Sequence, residues 1–193
     1  MERKKGTSPL RSDAERNRRR ILEVALAELT RSADVPLSVI AKKAGVGQGT
    51  FYRNFPSREA LVLEIYRFEM QQLVDSAAEL LETREPDRAL REWMDRFARF
   101  AMAKAGLADA IRQATSGPDQ PAKPGYAPVT DAAEVLLRAN EEAGTIRPGV
   151  SSDDLLLAIA GLWQIDPRGD WQPRVARLLD FIMDGLRVGA PGR

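Results

Sequence analysis

The stretch that decides the fold runs Leu37-Ser38-Val39-Ile40-Ala41-Lys42-Lys43-Ala44-Gly45-Val46-Gly47-Gln48-Gly49-Thr50-Phe51-Tyr52-Arg53-Asn54-Phe55-Pro56-Ser57-Arg58-Glu59-Ala60-Leu61. Counting from Leu37, the fifth residue is Ala41, the ninth Gly45 and the fifteenth Phe51. Two helices joined by a turn of three or four residues need these types at these places. The fifth residue faces the second helix at close range and must be small. The ninth must take a left-handed backbone to turn the chain, which glycine does without a Cβ penalty. The fifteenth fills the space between the helices, where Phe51 can meet Ile40 and Val46. The pattern predicts a helix over 37–44, a turn at Gly45-Val46-Gly47, and a short helix over 48–55.

The second helix is rich in hydrogen-bonding side chains. Gln48, Thr50, Tyr52, Arg53 and Asn54 crowd its surface, and Gly49 leaves a gap where a backbone could approach a groove wall. A tyrosine hydroxyl can donate to a phosphate, and an arginine can pair with a phosphate or a guanine edge. Lys42, Lys43 and Arg58 flank the unit, placed to ride a nucleic-acid backbone, and Ser38 in the preceding helix is a further DNA-binding candidate. For Tyr52 the alternative is a packing residue with only its hydroxyl outside.

Working outward, residues 1–11 are basic and polar and are expected to form a disordered tail. A first helix is expected to open at Ser12, with Glu15 completing a capping box. Its buried stripe is Ile21, Leu22, Ala25, Leu26 and Leu29 at helical spacing. Arg16, Arg18, Arg19 and Arg20 lie early in it, where positive charge opposes the helix dipole and gains little. They form either a solvated face or a contact with an external polyanion. Pro36 suits the first turn of the helix that follows. Ser57 is placed to cap a long helix over 57–84. Further helices are expected at 87–104, 107–116, 128–143, 152–164 and 172–188. The Gly- and Pro-rich stretch 117–125 reads as a mobile loop. No stretch alternates with period two, so the fold class is all-α.

Composition narrows the chemistry. The chain has 193 residues, 44% hydrophobic and 30% charged, as in a globular protein. It contains no cysteine and no histidine, which excludes disulfides, cysteine nucleophiles, a serine nucleophile with a histidine base, and most zinc sites. No catalytic pair, phosphate-cradling glycine loop or metal-ligand cluster is apparent, so neither an enzyme nor a cofactor or metal is expected. With no signal peptide and no apolar run of about 20 residues, a cytoplasmic location and no membrane partner are expected. The net charge of +1 hides an asymmetry: residues 1–60 carry +6 and the remainder −5. A basic head on an acidic body suits a nucleic-acid binder with a separate regulatory domain.

The segment 37–61 closely resembles the DNA-binding signature of the TetR family of transcriptional regulators, above all in Ala44-Gly45-Val46, Gly49-Thr50-Phe51-Tyr52 and Phe55-Pro56-Ser57-Arg58-Glu59-Ala60-Leu61. The resemblance covers about residues 12–70. It implies a three-helix head with the helix-turn-helix at 37–56, a long connector helix, and a homodimer on a palindromic double-stranded operator. It further implies that Thr50, Tyr52 and Arg58 meet phosphates, and that positions around Gln48 and Arg53 read bases. Three residues depart from the family pattern. Gly47 stands where serine is frequent and weakens the cap of the recognition helix. Pro36 replaces a frequent threonine that caps and touches phosphate, and Asn54 replaces a frequent histidine or tyrosine.

Residues 71–193 are expected to form a helical regulatory and dimerisation domain. Trp93 to Phe100, Ala143 to Arg147 and Leu162 to Asp166 are similar to the C-terminal domain of the SbtR-like branch. The helix at 152–164 is apolar all round and must be covered on every side. The last helix carries Val175, Leu178, Leu179, Ile182 and Leu186 on one stripe, with Phe181 and Met183 off it. Doubled by a two-fold axis, these helices would make a four-helix interface. A buried central helix in a monomer is the competing account. Trp93, Phe97, Phe100, Ile111, Tyr126 and Trp163 are candidates for a ligand pocket, with Asp109, Arg112 and Gln164 as orienting groups, though core and pocket residues look alike in sequence. By resemblance, a small-molecule effector in the body shifts the connector helix and releases a repressor from its operator. The alternative is a DNA-binding regulator whose body only dimerises or answers to a protein partner.

Overall fold

A computed structural model describes residues 9–32, 34–105, 126–166 and 169–192. Among them lie eight α-helices and no strand: α1 Pro9–Arg31, α2 Leu37–Lys43, α3 Gln48–Asn54, α4 Arg58–Thr83, α5 Pro86–Ala105, α6 Tyr126–Glu142, α7 Ser152–Ala160 and α8 Gln172–Arg187. A short 3-10 turn, Gly161–Gln164, follows α7. The helix expected at 107–116 and the loop expected at 117–125 lie outside the described residues.

Local chemistry explains most boundaries. Ser57 accepts the amide of Ala60 at 3.1 Å and opens α4. Ser151 does the same for α7, accepting from Asp154 at 3.0 Å. Both satisfy a free first-turn amide. Two expectations at helix starts are corrected. α1 begins at Pro9, so Ser12 lies inside the helix and residues 9–11 belong to it rather than to a tail. Proline is at home in a first turn because its missing N–H would be unpaired there anyway. Pro36 is the N-cap of α2, one residue before the helix, and it supplies no side-chain bond. At the other end, the expected helix 152–164 is α-helical only to Ala160 and then tightens to 3-10, as helix C-termini commonly do.

The described residues close two cores. The head core holds Ile21, Leu22, Ala25 and Leu29 of α1, Ile40 and Ala41 of α2, Phe51 and Phe55 around α3, and Leu61, Val62 and Ile65 of α4. The body core begins further along the same helix, at Met70, Leu73, Ala77 and Leu80, and takes in α5 to α8. α4 is therefore shared, its first two turns built into the head and the rest into the body.

In the body, Trp93 is wholly buried and its Nε1 donates to the Leu73 carbonyl at 3.0 Å. Buried Asn140 donates from Nδ2 to the Pro86 and Leu136 carbonyls, both at 2.8 Å, and its Oδ1 accepts from Thr145 at 2.7 Å. These bonds satisfy an amide that would otherwise be costly inside. On α8 the buried stripe is Val175, Leu179, Met183 and Leu186. This corrects the expected register: Met183 points in, while Leu178 is exposed. Both stripes obey the helical period, and the observed one is the expected face turned by part of a residue step about the helix axis. Among the described residues, no helix is long and apolar enough to cross a membrane.

Candidate nucleic-acid interface

The bend between α2 and α3 is made by Gly45, whose φ is +68°. An added Cβ would meet only an Arg20 nitrogen at 3.7 Å, so conformation rather than space demands glycine. The Gly45 amide donates to the Lys42 carbonyl at 3.1 Å, and that of Val46 to Ala41 at 3.1 Å. Ala41 and Phe51 are fully buried between the helices. The small fifth residue and the plugging fifteenth sit where their types require.

α3 then divides cleanly. Phe51 and, just beyond the helix, Phe55 face the core with ring centroids 5.5 Å apart. Gln48, Gly49, Thr50, Tyr52, Arg53 and Asn54 are all exposed. Tyr52 sets its ring edge-on to Phe51 at 5.7 Å yet stays 43% exposed, so packing and an outward hydroxyl coexist. Arg53 donates from Nε to the Gly49 carbonyl at 3.1 Å and from Nη2 to Thr50 Oγ1 at 3.3 Å. Asn54 donates to the Thr50 carbonyl at 2.8 Å. Nothing lies within 4 Å of the Cβ that Gly47 or Gly49 would carry. The N-cap of α3, Gly47, makes no side-chain bond.

The flanking residues split. Lys42 is exposed and Ser38 half-buried. Lys43 donates to Glu28 at 2.7 Å, and this bond is the main reason the Glu28 carboxyl lies below its ordinary 4.5. Arg58 is half-buried and donates from Nη2 to the Val35 carbonyl at 2.5 Å, tying the segment before α2 to the start of α4.

The arginines of α1 differ from expectation too. Arg18 gains an internal partner, donating to Glu64 Oε2 at 2.5 Å, and its guanidinium lies 5.1 Å from the centre of the Phe55 ring. Arg19 lies over Phe68 at 5.9 Å. Partial burial alone would raise the Glu64 carboxyl, but hydrogen bonds from Arg67 and Arg18 outweigh it and leave the group below 4.5. Nothing in the local sequence around Arg18 signals this, because its partner is 46 residues away.

A basic N-terminal head with a glycine-bent helix pair and an outward polar face on the second helix is the geometry of a DNA reader. Residues 21–65 match the family described as bacterial regulatory proteins, tetR family. Residues 85–188 match the description "Transcriptional regulator SbtR-like, C-terminal domain". A TetR transcriptional regulator from Streptomyces coelicolor is 40% identical, with a TM-score of 0.80 over 88% of this chain and 98% of that one. The chain belongs to the TetR family of transcriptional regulators. A TetR regulatory protein from Mycobacterium vanbaalenii is 34% identical, with a TM-score of 0.73 over 93% of this chain and 99% of that one. A TetR-family regulator from Thermus thermophilus, 23% identical with a TM-score of 0.58 over 86% and 98%, shares the fold. No curated protein is a significant match. As a TetR-family regulator this protein binds DNA through its head.

The body of this TetR regulator places the pocket candidates unevenly. Trp93 and Phe97 are buried core, with rings 5.7 Å apart. Phe100 lines a cavity of about 310 Å³ between α4 and α5, together with Glu69, Gln72, Leu73, Arg96 and Arg99. Arg96 donates to Glu92 at 2.8 Å, and Arg99 pairs with Asp95. Gln164 is exposed away from the core. Asp109, Ile111 and Arg112 lie outside the described residues, as do the side chains of Tyr126 and Trp163. The polar rim went unread in the sequence. Its residues repeat at i, i+3 and i+4 on two helices, which becomes informative only once those helices are known to be neighbours.

Proposed function

We propose that this TetR-family regulator is a cytoplasmic homodimeric repressor that leaves a palindromic operator when a small molecule binds its body. The observation that carries the reading is the two-sided α3: buried Phe51 fixes the helix from within, and Gln48, Thr50, Tyr52, Arg53 and Asn54 are left to meet base edges and phosphates. Ser38, Lys42, Lys43, Gly49 and Arg58 complete the proposed contact surface. Two copies of α3 roughly 34–36 Å apart would enter successive major grooves on one side of a duplex.

The two-fold partner is supported by apolar side chains left outside the body. Leu157 of α7 is 72% exposed and Phe181 of α8 is 77% exposed. The matching self-surface of a second copy would cover them. The cavity between α4 and α5 supports an effector, because it lies against the connector helix whose position sets the spacing of the two heads. A ligand favouring one spacing would shift the population toward it.

Arg53→Ala and Tyr52→Ala should each weaken operator binding, by about 1–3 kcal/mol if the lost contact reads a base, while far-ultraviolet circular dichroism stays that of the folded dimer. Gel-shift titration against duplexes recovered from a random pool measures this, and unchanged affinity in both variants refutes the assignment. A second reading, a regulator whose body only dimerises, is favoured by the filled aromatic core around Trp93 and Phe97. Thermal-shift screening against metabolites separates the two, since a bound effector raises the melting temperature with occupancy.

A further inference from the structure

Arg18 touches three elements of the head at once. It is rooted on α1, its guanidinium lies over the Phe55 ring at 5.1 Å, and its Nη2 donates to Glu64 at 2.5 Å. Phe55 closes the recognition helix: its amide donates to the Phe51 carbonyl at 2.9 Å and its ring is fully buried. Glu64 stands on the second turn of α4 and is held from the other side by Arg67 at 2.8 Å. A planar guanidinium can lie flat on a ring face and donate from its edge in the same pose, whereas an ammonium is a compact point charge with no plane to stack. The side chain is thus a strut between the end of α3 and the connector helix.

We propose that Arg18 is a positioning residue for operator recognition, setting the angle of α3 against α4 through Phe55 and Glu64 without itself holding DNA. The inference rests on the reading that α3 enters the groove. It also separates Arg18 from the residues beside it, since a basic run on the head of a DNA-binding protein otherwise reads as a row of phosphate contacts. The two roles differ in the duplexes they affect. A lost phosphate contact from Arg18 would lower the slope of log affinity against log salt by about 0.9 on any duplex, whereas a tilted recognition helix costs the base contacts that only the selected duplex offers.

The test uses the full-length protein, a duplex selected from a random pool, and a scrambled duplex of equal length, each titrated across a range of salt. Arg18→Met keeps the stem and removes the planar cation. Affinity for the selected duplex should fall on the order of tenfold, the effect of losing a base contact, with scrambled-duplex affinity and its salt slope unchanged. Glu64→Gln should act in the same direction while leaving the arginine charge in place. Arg18→Lys should fail to restore the affinity, though it restores the charge. Should Arg18→Met not fold, as judged by circular dichroism, the other two variants decide the matter. Equal weakening on both duplexes with a smaller slope, full rescue by lysine, or unchanged selectivity in Glu64→Gln would each overturn the proposal. A wild-type protein that selects no duplex at all would instead bring down the operator reading, and this inference with it.

Discussion

The head and the body are both built of amphipathic helices, yet they finish their surfaces in opposite ways. In the head, Phe51 and Phe55 of the α3 region turn wholly inward and the residues between and before them are polar. In the body, α7 and α8 bury Leu155, Leu156, Ile159, Val175, Leu179 and Met183 on one side and leave Leu157 and Phe181 on the other. Water tolerates the first finish and favours covering the second, since apolar surface gains by leaving water. The head closes its own core and offers hydrogen bonds. The body leaves large apolar side chains in water, where the second copy proposed above would cover them.

The largest expected effect tests the body half of that contrast. Phe181→Ala removes one side chain from each copy in a dimer, and burying a phenylalanine contributes about 1.5–3 kcal/mol. With two copies the loss is roughly 3–6 kcal/mol, a rise of about 10²–10⁴ in the dimer dissociation constant. Sedimentation velocity over a concentration series reads it. A dimer constant unmoved by the substitution would mean that α8 does not face a partner there. Next comes the head. Phe51→Ala should cost about 3–5 kcal/mol, the usual range for emptying an aromatic core position, and operator binding should vanish at temperatures where the body remains helical. Hydrogen exchange across residues 37–65 would show the head opening. Protection equal to that of the unaltered protein would deny Phe51 its role as the plug.

Much of the head was legible because its signals are local and steric. Ala41, Gly45 and Phe51 each answer a requirement of two helices at close range, and α3 and α8 begin where their patterns predict. The body's apolar helices were legible as elements but not as faces. Leu178 and Met183 differ by five positions on α8, and a small rotation of the helix exchanges inside for outside; packing against neighbours such as α5 fixes the choice. Arg58 shows a different gap. Beyond the phosphate contact that its sequence context resembles, the folded chain brings the Val35 carbonyl within its reach from 23 residues away. Long-range partners of charged side chains leave no periodicity behind them. The same holds for the cavity rim, where Arg96 and Arg99 become neighbours of Gln72 only after α4 and α5 have packed.

The smallest effect concerns acid. Glu64 has a carboxyl lowered from 4.5 in the folded chain by Arg67 and Arg18, against the opposing pull of its partial burial. A carboxylate whose folded value is depressed stabilises the fold fully above its unfolded value, and the contribution fades as pH falls through the folded value. At about 26% exposure the pair with Arg18 is partly screened, so a contribution of about 0.2–1 kcal/mol is expected. Denaturant titrations should therefore find Glu64→Gln less stable than the unaltered protein near pH 7, with the difference closing at pH values well below 4.5. The carboxyls of Glu28, Glu59 and Glu92 are depressed as well, so the unaltered protein loses stability through the same acid range for several reasons. Only the difference between the two proteins isolates Glu64. If that difference persists undiminished in strong acid, the glutamine is acting through lost packing, and the ionic tie between α1 and α4 contributes nothing measurable to the stability of the head.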